Sequence, residues 1–357
     1  MQMTEQLSQY TNGEQSNHIG KLLLLSSGEI SATGRKMHER MFMELGLPIH
    51  AAILETPAGF ELNSALVAQK VGDFLKTSLR NFSPNVSIIA ARNKGGPFST
   101  NNPDILAPML DANYFFLGAG SPTYLARHLK DSLGLSYLLG RHRRGAALCL
   151  ASASAMAIGS KAMPVYEIFK AGHDLHWVEG LDLFGPFGLD LAIVSHWDNN
   201  EGGAHLDTSH CFMGQERMDR LRTLLSPTTL VLGIDEHTGV LFDFQTEQCH
   251  VMGKGKATVL APGLMKVYET GTRFPMKMLG PYHLPTEIPE YGPPVGGMGE
   301  PEQMYVLPSK EVLELLQIRE AAREARNWAK ADEIRNEVAY MGFEIHDTRE
   351  GPQITEV

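Results

Sequence analysis

Gly145-Ala-Ala-Leu-Cys-Leu-Ala-Ser152-Ala-Ser154-Ala-Met-Ala-Ile-Gly159 is the stretch on which the fold turns. Its first half is a short apolar run bounded by glycine, as in a strand buried on both faces, and its alanine-rich second half favours helix. Only small residues stand at the junction. A strand that turns sharply into a helix brings backbones close, which demands small neighbours. A Ser or Cys in such a turn is exposed, with the first N–H groups of the helix beside it. A buried strand followed by an alanine-rich packing helix uses the same residues, so this segment alone leaves both readings open.

Further apolar runs lie at residues 21–26, 51–54, 86–91 and 114–117, separated by amphipathic stretches at 35–45 and 65–79. That alternation predicts an α/β fold with a mostly parallel sheet and helices on both faces. The runs end in Ser26-Ser27-Gly28, Glu55-Thr56-Pro57 and Gly118-Ala119-Gly120-Ser121-Pro122, at the carboxyl edge where open α/β sheets bind ligands. Three later β-like runs, 230–234, 239–244 and 256–260, are expected to extend the same sheet. Residues 1–18 read as a mobile tail, 19–273 as the α/β domain and 274–308, crowded with Pro and Gly, as a linker. Residues 309–357 read as a helical hairpin: Ser309 caps a helix carrying Val312, Leu313, Leu316 and Ile318, and a second helix carries Trp328, Ala331, Ile334, Arg335 and Val338 before Gly342.

The 357 residues carry 31 Lys+Arg against 41 Asp+Glu, a net charge of −10. That balance disfavours a chain whose main task is coating nucleic acid. Three cysteines, Cys149, Cys211 and Cys249, form no C-x-x-C pair, so no disulfide framework is expected and cytoplasm is the expected compartment. No leader and no membrane span are read. His173, His176, His196, His205 and His210 lack the spacing of a metal motif, and no metal or cofactor is expected. Arg217, Arg220 and Arg222 fall on the polar side of a helical pattern and read as a solvated face. A homo-oligomer is compatible with all of this.

Four stretches in order resemble the serine peptidases that include cyanophycinase and aspartyl dipeptidase. Ser152-Ala-Ser-Ala155 is similar to their Ser-Ala-Gly-Ala region, and Phe116-Leu-Gly-Ala-Gly-Ser-Pro-Thr-Tyr-Leu125 to their glycine loop. Trp177-Val-Glu-Gly-Leu-Asp-Leu-Phe184 and Gly233-Ile-Asp-Glu-His-Thr238 complete the set. The resemblance implies a three-layer fold related to class I glutamine amidotransferases, and a Ser-His-acid triad that hydrolyses a small peptide or amide through an acyl-enzyme. Carried over, Ser152 is the nucleophile, His196 the base and Glu167 the acid, with Asp198 the alternative acid. Backbone N–H groups at Gly120 and Ala153 form the oxyanion hole. Leu150 and Ser154 stand where that family has glycine, so a non-catalytic binding protein with a disabled elbow is the second reading. A third takes Cys149 as nucleophile, because Ala147-Leu-Cys149-Leu-Ala151 resembles the elbow of glutamine amidotransferases. The stretch from Arg319 to Arg335, with Asp347-Thr-Arg-Glu-Gly351, resembles the C-terminal region of bacterial cysteinyl-tRNA synthetases. That resemblance implies an RNA or protein contact through Arg319, Arg323, Arg326, Lys330 and Arg335. Interleaved acids also make a salt-bridged hairpin of the same residues.

Overall fold

Five short apolar strands, β1 (Leu22–Leu25), β2 (His50–Leu54), β3 (Asn85–Ile89), β4 (Tyr114–Leu117) and β5 (Ala147–Ala151), run parallel in one sheet in the order β1-β5-β4-β2-β3. This is a computed structural model that describes residues 19–285, 310–325, 327–341, 343–348 and 351–356. The chain divides into two units, Met1–Pro293 and Pro294–Val357. The expected mobile tail, residues 286–308 of the expected linker, the Ser309 cap, Arg326 and Gly342 lie outside the described residues.

After β5 the first unit builds a second sheet. It begins with β6 (Lys161–Ala162), β7 (Val178–Glu179), β8 (Leu191–Val194) and β9 (Leu230–Ile234). The next strands, β10 (Thr238–Asp243) and β11 (Gln248–Gly253), return to the first sheet, β10 antiparallel beside β1 and β11 antiparallel beside β10. Strands β12 (Lys256–Ala261) and β13 (Leu264–Glu269) then join the second sheet, and β14 (Arg273–Pro275) closes the edge of the first. Of the three late runs expected to extend one sheet, only that of β10 does so; β9 and β12 pair with each other, and β9 with β8, in the second. The physical reason is the shared core. Leu232 and Ile234 of β9 and Val240 and Phe242 of β10 are buried in the same cluster, so apolar pattern alone does not say which sheet a run joins.

The four leucines of β1 show how the layers form. Leu23 and Leu25 pack with Met37, Phe42, Val71 and Leu75 of the helices Ala32–Leu45 and Ser64–Ser78. Leu22 and Leu24 face the opposite way, into a cluster with Leu125 and Leu129 of the helix Pro122–Leu129 and with the second sheet. A run apolar at every position is the pattern of a strand covered on both faces, since successive side chains alternate. Residues 274–279, expected to open a linker, belong to the α/β unit instead, because Phe274, Met276 and Leu279 are buried in that larger cluster.

The second unit has helices Lys310–Glu324 and Trp328–Tyr340, then the antiparallel pair β15 (Phe343–Thr348) and β16 (Gly351–Glu356). A purely helical hairpin was expected, so the strands are a correction: Phe343-Glu-Ile-His alternates as a strand does, over too short a span to stand out. Val312, Ile334, Val338 and Ile345 form its small core. Ile318 and Trp328, expected on the apolar side, are exposed. Among the described residues no helix is long and apolar enough to cross a membrane.

Phe184 is fully buried with its ring 5.1 Å from that of Phe242. Phe184→Ala should lower the unfolding free energy by about 3–5 kcal/mol in urea titration, the usual cost of an unfilled aromatic site.

Candidate active site

The turn after β5 is a strained one. Ser152 has φ 51 and ψ −113, outside the broad regions available to a residue with a Cβ, and the helix Ala153–Ala157 begins at the next residue. Ser152 N donates to Leu25 O at 2.8 Å, which ties the turn to the end of β1. The two positions that depart from the glycine pattern fit. Leu150 points into the large cluster with Leu148 and Leu24, away from the turn, and Ser154 Oγ donates to Gly118 O at 2.6 Å. That bond pins the helix to the glycine loop.

His196 follows β8. Its Nε2 lies 2.8 Å from Ser152 Oγ, and its Nδ1 lies 2.8 Å from Glu236 Oε1. A carboxylate only accepts, so Nδ1 carries the proton and Nε2 is left to accept from the Ser152 hydroxyl. Glu236 sits in the short connector by which the chain leaves β9 in one sheet and enters β10 in the other. The carboxylate was expected at Glu167, with Asp198 as alternative; the structure puts Glu236 on His196 instead. Glu167 lies on the helix Val165–Phe169 and its Oε2 is buried without a hydrogen-bond partner. Asp198 Oδ1 accepts the backbone N–H of Glu236 at 2.6 Å, so it holds the Glu236 backbone and not the His196 ring.

The polar residues that end β1 carry the rest. Ser26 Oγ accepts the His196 N–H at 2.6 Å, and Ser27 Oγ donates to the second oxygen of Glu236 while accepting His237 N–H at 2.9 Å. Asn199 Nδ2 adds a longer bond to Glu236 Oε1 at 3.3 Å. These contacts, with His196 first, hold the Glu236 carboxyl down at about 2. Sequence reasoning missed Glu236, Ser26, Ser27 and Asn199 in these roles. The signal for Glu236 was its place in Gly233-Ile-Asp-Glu-His-Thr238, a segment that follows a strand and carries two acids.

Gly120 and Ala153 line the same cavity of about 320 Å³ as Ser152 and His196. Gly120 has φ +149, and a Cβ there would lie 1.9 Å from Pro57 O, so the backbone passes where no side chain fits. Cys149 is elsewhere. It is fully buried among Leu23, Leu25 and Phe116, and burial pushes its thiol up to about 12, which withdraws the thiolate a Cys149 nucleophile requires. Among the described residues no group of three or more His, Cys, Asp or Glu could hold a metal. His173 and His176 stack on each other and His210 packs edge-on to Trp197. Arg217, read as part of a solvated face, instead donates to the carbonyls of Phe212 and Met213 at 2.9 and 2.7 Å.

Residues 309–354 match the family described as "Cysteinyl-tRNA ligase anticodon binding domain". Over 44 residues the chain is 46% identical to the cysteine–tRNA ligase of Chlamydia felis and 44% to that of Chlamydia abortus, spanning 12% of this chain and 9% of each ligase. The chain thus spans under a tenth of the length of those curated relatives. Among solved structures it is similar to a peptidase from an acI-B1 Actinobacterium, with a TM-score of 0.59 and 18% identity over 73% of this chain and 98% of that one. A putative peptidase E protein from Listeria monocytogenes aligns at TM-score 0.41 and 14% identity over 71% of this chain. The fold is that of the actinobacterial peptidase, a mixed α/β arrangement of sheets and helices.

Two outcomes follow from the geometry. Cys149 should stay unmodified by iodoacetamide in the native protein at pH 8 and react on unfolding, read by mass spectrometry. Because the Glu236 carboxyl is lower in the folded state than its ordinary 4.5, its stabilising contribution is present above about 4.5 and is lost as pH falls through about 2. Urea unfolding should show Glu236→Gln less stable than wild type at pH 6, with the gap narrowing at pH 3.

Proposed function

We propose that this chain is a serine-type hydrolase of small peptide or amide bonds, akin to the cyanophycinase and aspartyl dipeptidase family in its mechanism. The observation that carries the proposal is the imidazole of His196, bridging Ser152 Oγ and the Glu236 carboxylate at 2.8 Å on each side, with Ser152 in a strained turn at a helix start. In this reading Ser152 Oγ attacks the carbonyl carbon and its proton passes to His196 Nε2. Glu236 fixes the imidazole tautomer and faces the imidazolium that forms. The oxyanion is met by backbone N–H groups at Ala153 and Gly120, aimed before reaction and so without a reorganisation cost. His196 then gives its proton to the leaving amine, and water, deprotonated by the same nitrogen, releases the acyl group from Ser152.

A binding protein with a disabled elbow is favoured less, because its premise was crowding by Leu150 and Ser154, and both side chains are accommodated. For the C-terminal unit, the match at 309–354 supports an RNA contact. Its basic residues temper that: Arg319 is buried against Glu320, and Lys330 pairs with Glu333.

A fluorophosphonate should label Ser152 in the intact chain, and Ser152→Ala should abolish the adduct. Glu236→Ala should lower the labelling rate by at least about 100-fold, whereas Glu167→Ala should leave it within about threefold. Equal loss in the two variants would overturn the assignment of the acid.

A further inference from the structure

Besides Ser152, Ala153, His196 and Gly120, the wall of the cavity is made largely by Met156, Val165, Tyr166, Phe169, Cys211 and Phe212. The Phe169 and Phe212 rings lie 4.9 Å apart and nearly parallel. Two ionic side chains also line the cavity, Lys170 and Glu201, of opposite sign and both exposed. Neither is a desolvated counter-charge of the kind a buried acidic or basic group requires.

The apolar wall is built at a conformational cost. His210, Cys211 and Phe212 are three successive non-glycine residues at positive φ, 56, 57 and 68. Left-handed L-residues are disfavoured even singly, and a run of them persists only where surrounding contacts enforce it. Those contacts are present. His210 N donates to Trp197 O at 2.9 Å and Cys211 N to His196 O at 3.0 Å, while Arg217 clamps the Phe212 carbonyl. The wall therefore hangs on the backbone of the residue that holds the proton-accepting imidazole.

From this we infer that the cavity is a specificity pocket for an apolar side chain on the acyl side of the scissile bond. The substrates are short peptides presenting phenylalanine, leucine or a similar residue to Ser152, with the ring or branch packed against Phe169 and Phe212. The volume of about 320 Å³ takes one large residue with its flanking backbone, and a matched apolar pocket discriminates by lost burial when the side chain shrinks. Phe212 is the specificity-determining residue, and the inference rests on the serine-hydrolase reading above.

The test uses the full chain and peptidyl aminomethylcoumarins that differ only in the acyl-side residue: Phe, Leu, Ala, Asp or Lys. Phe and Leu should exceed Ala, Asp and Lys in kcat/KM by about tenfold to 100-fold. Phe212→Ala should bring the Phe-to-Ala ratio to within about threefold of one, and Phe212→Leu should retain a preference for Leu while losing most of that for Phe. Fluorophosphonate labelling of wild-type Ser152 is measured alongside. A labelled serine with Asp or Lys preferred, or with a Phe-to-Ala ratio unmoved in both variants, overturns the pocket and leaves the hydrolase reading intact. An unlabelled serine with no turnover removes both.

Discussion

Two adjacent hydroxyls at the end of β1 hold this site together. Ser26 receives the backbone of His196, and Ser27 bonds both the Glu236 side chain and the backbone of His237. His196 and Glu236 follow neighbouring strands of the second sheet, whereas Ser152 follows β5, beside β1 in the first. The shared core fixes the two sheets against each other as a whole, and the bonds from Ser26 and Ser27 fix them at the edge where Ser152, His196 and Glu236 meet. Under the proposed hydrolase reading a misplacement of even an ångström is expensive, and these hydrogen bonds are short-range constraints at the point where it would arise.

The second constraint is close packing at the glycine loop. The loop around Gly118 and Gly120 is pressed against the backbone of Pro57 and Ala58, with no room for a Cβ at Gly120. The hydroxyl of Ser154 spends its proton on the Gly118 carbonyl. A position that differs from the glycine pattern thus supplies a contact that glycine lacks. Bulk at Leu150 is harmless for a different reason, since side-chain alternation along β5 directs it into the core.

Much of this could be read from sequence, and the failures at Glu236 and at β9 and β12 share one cause. Parallel strands announce themselves through unbroken apolar runs, and the small-residue junction at Ser152 through its own chemistry. His196 could be reached through resemblance. Glu236 could not be reached through distance along the chain, because the chain crosses between sheets in the three residues 235–237. Hydrophobicity does not mark such a crossing when both sheets face one core, which is also why β9 and β12 were expected in the wrong sheet. The strands β15 and β16 went unread because a six-residue alternation next to helices carries little signal. Ser26 and Ser27 were visible as a loop signal, but nothing in a serine pair says which backbone it will hold.

The small core of the C-terminal unit draws Val312, Ile334, Val338 and Ile345 from its own segment. A segment that carries a small core of its own can be gained or lost by recombination with that core intact. The close likeness of 44 residues to ligases from Chlamydia, on a chain whose larger unit shares its fold with a peptidase, is the pattern such portability leaves in evolution.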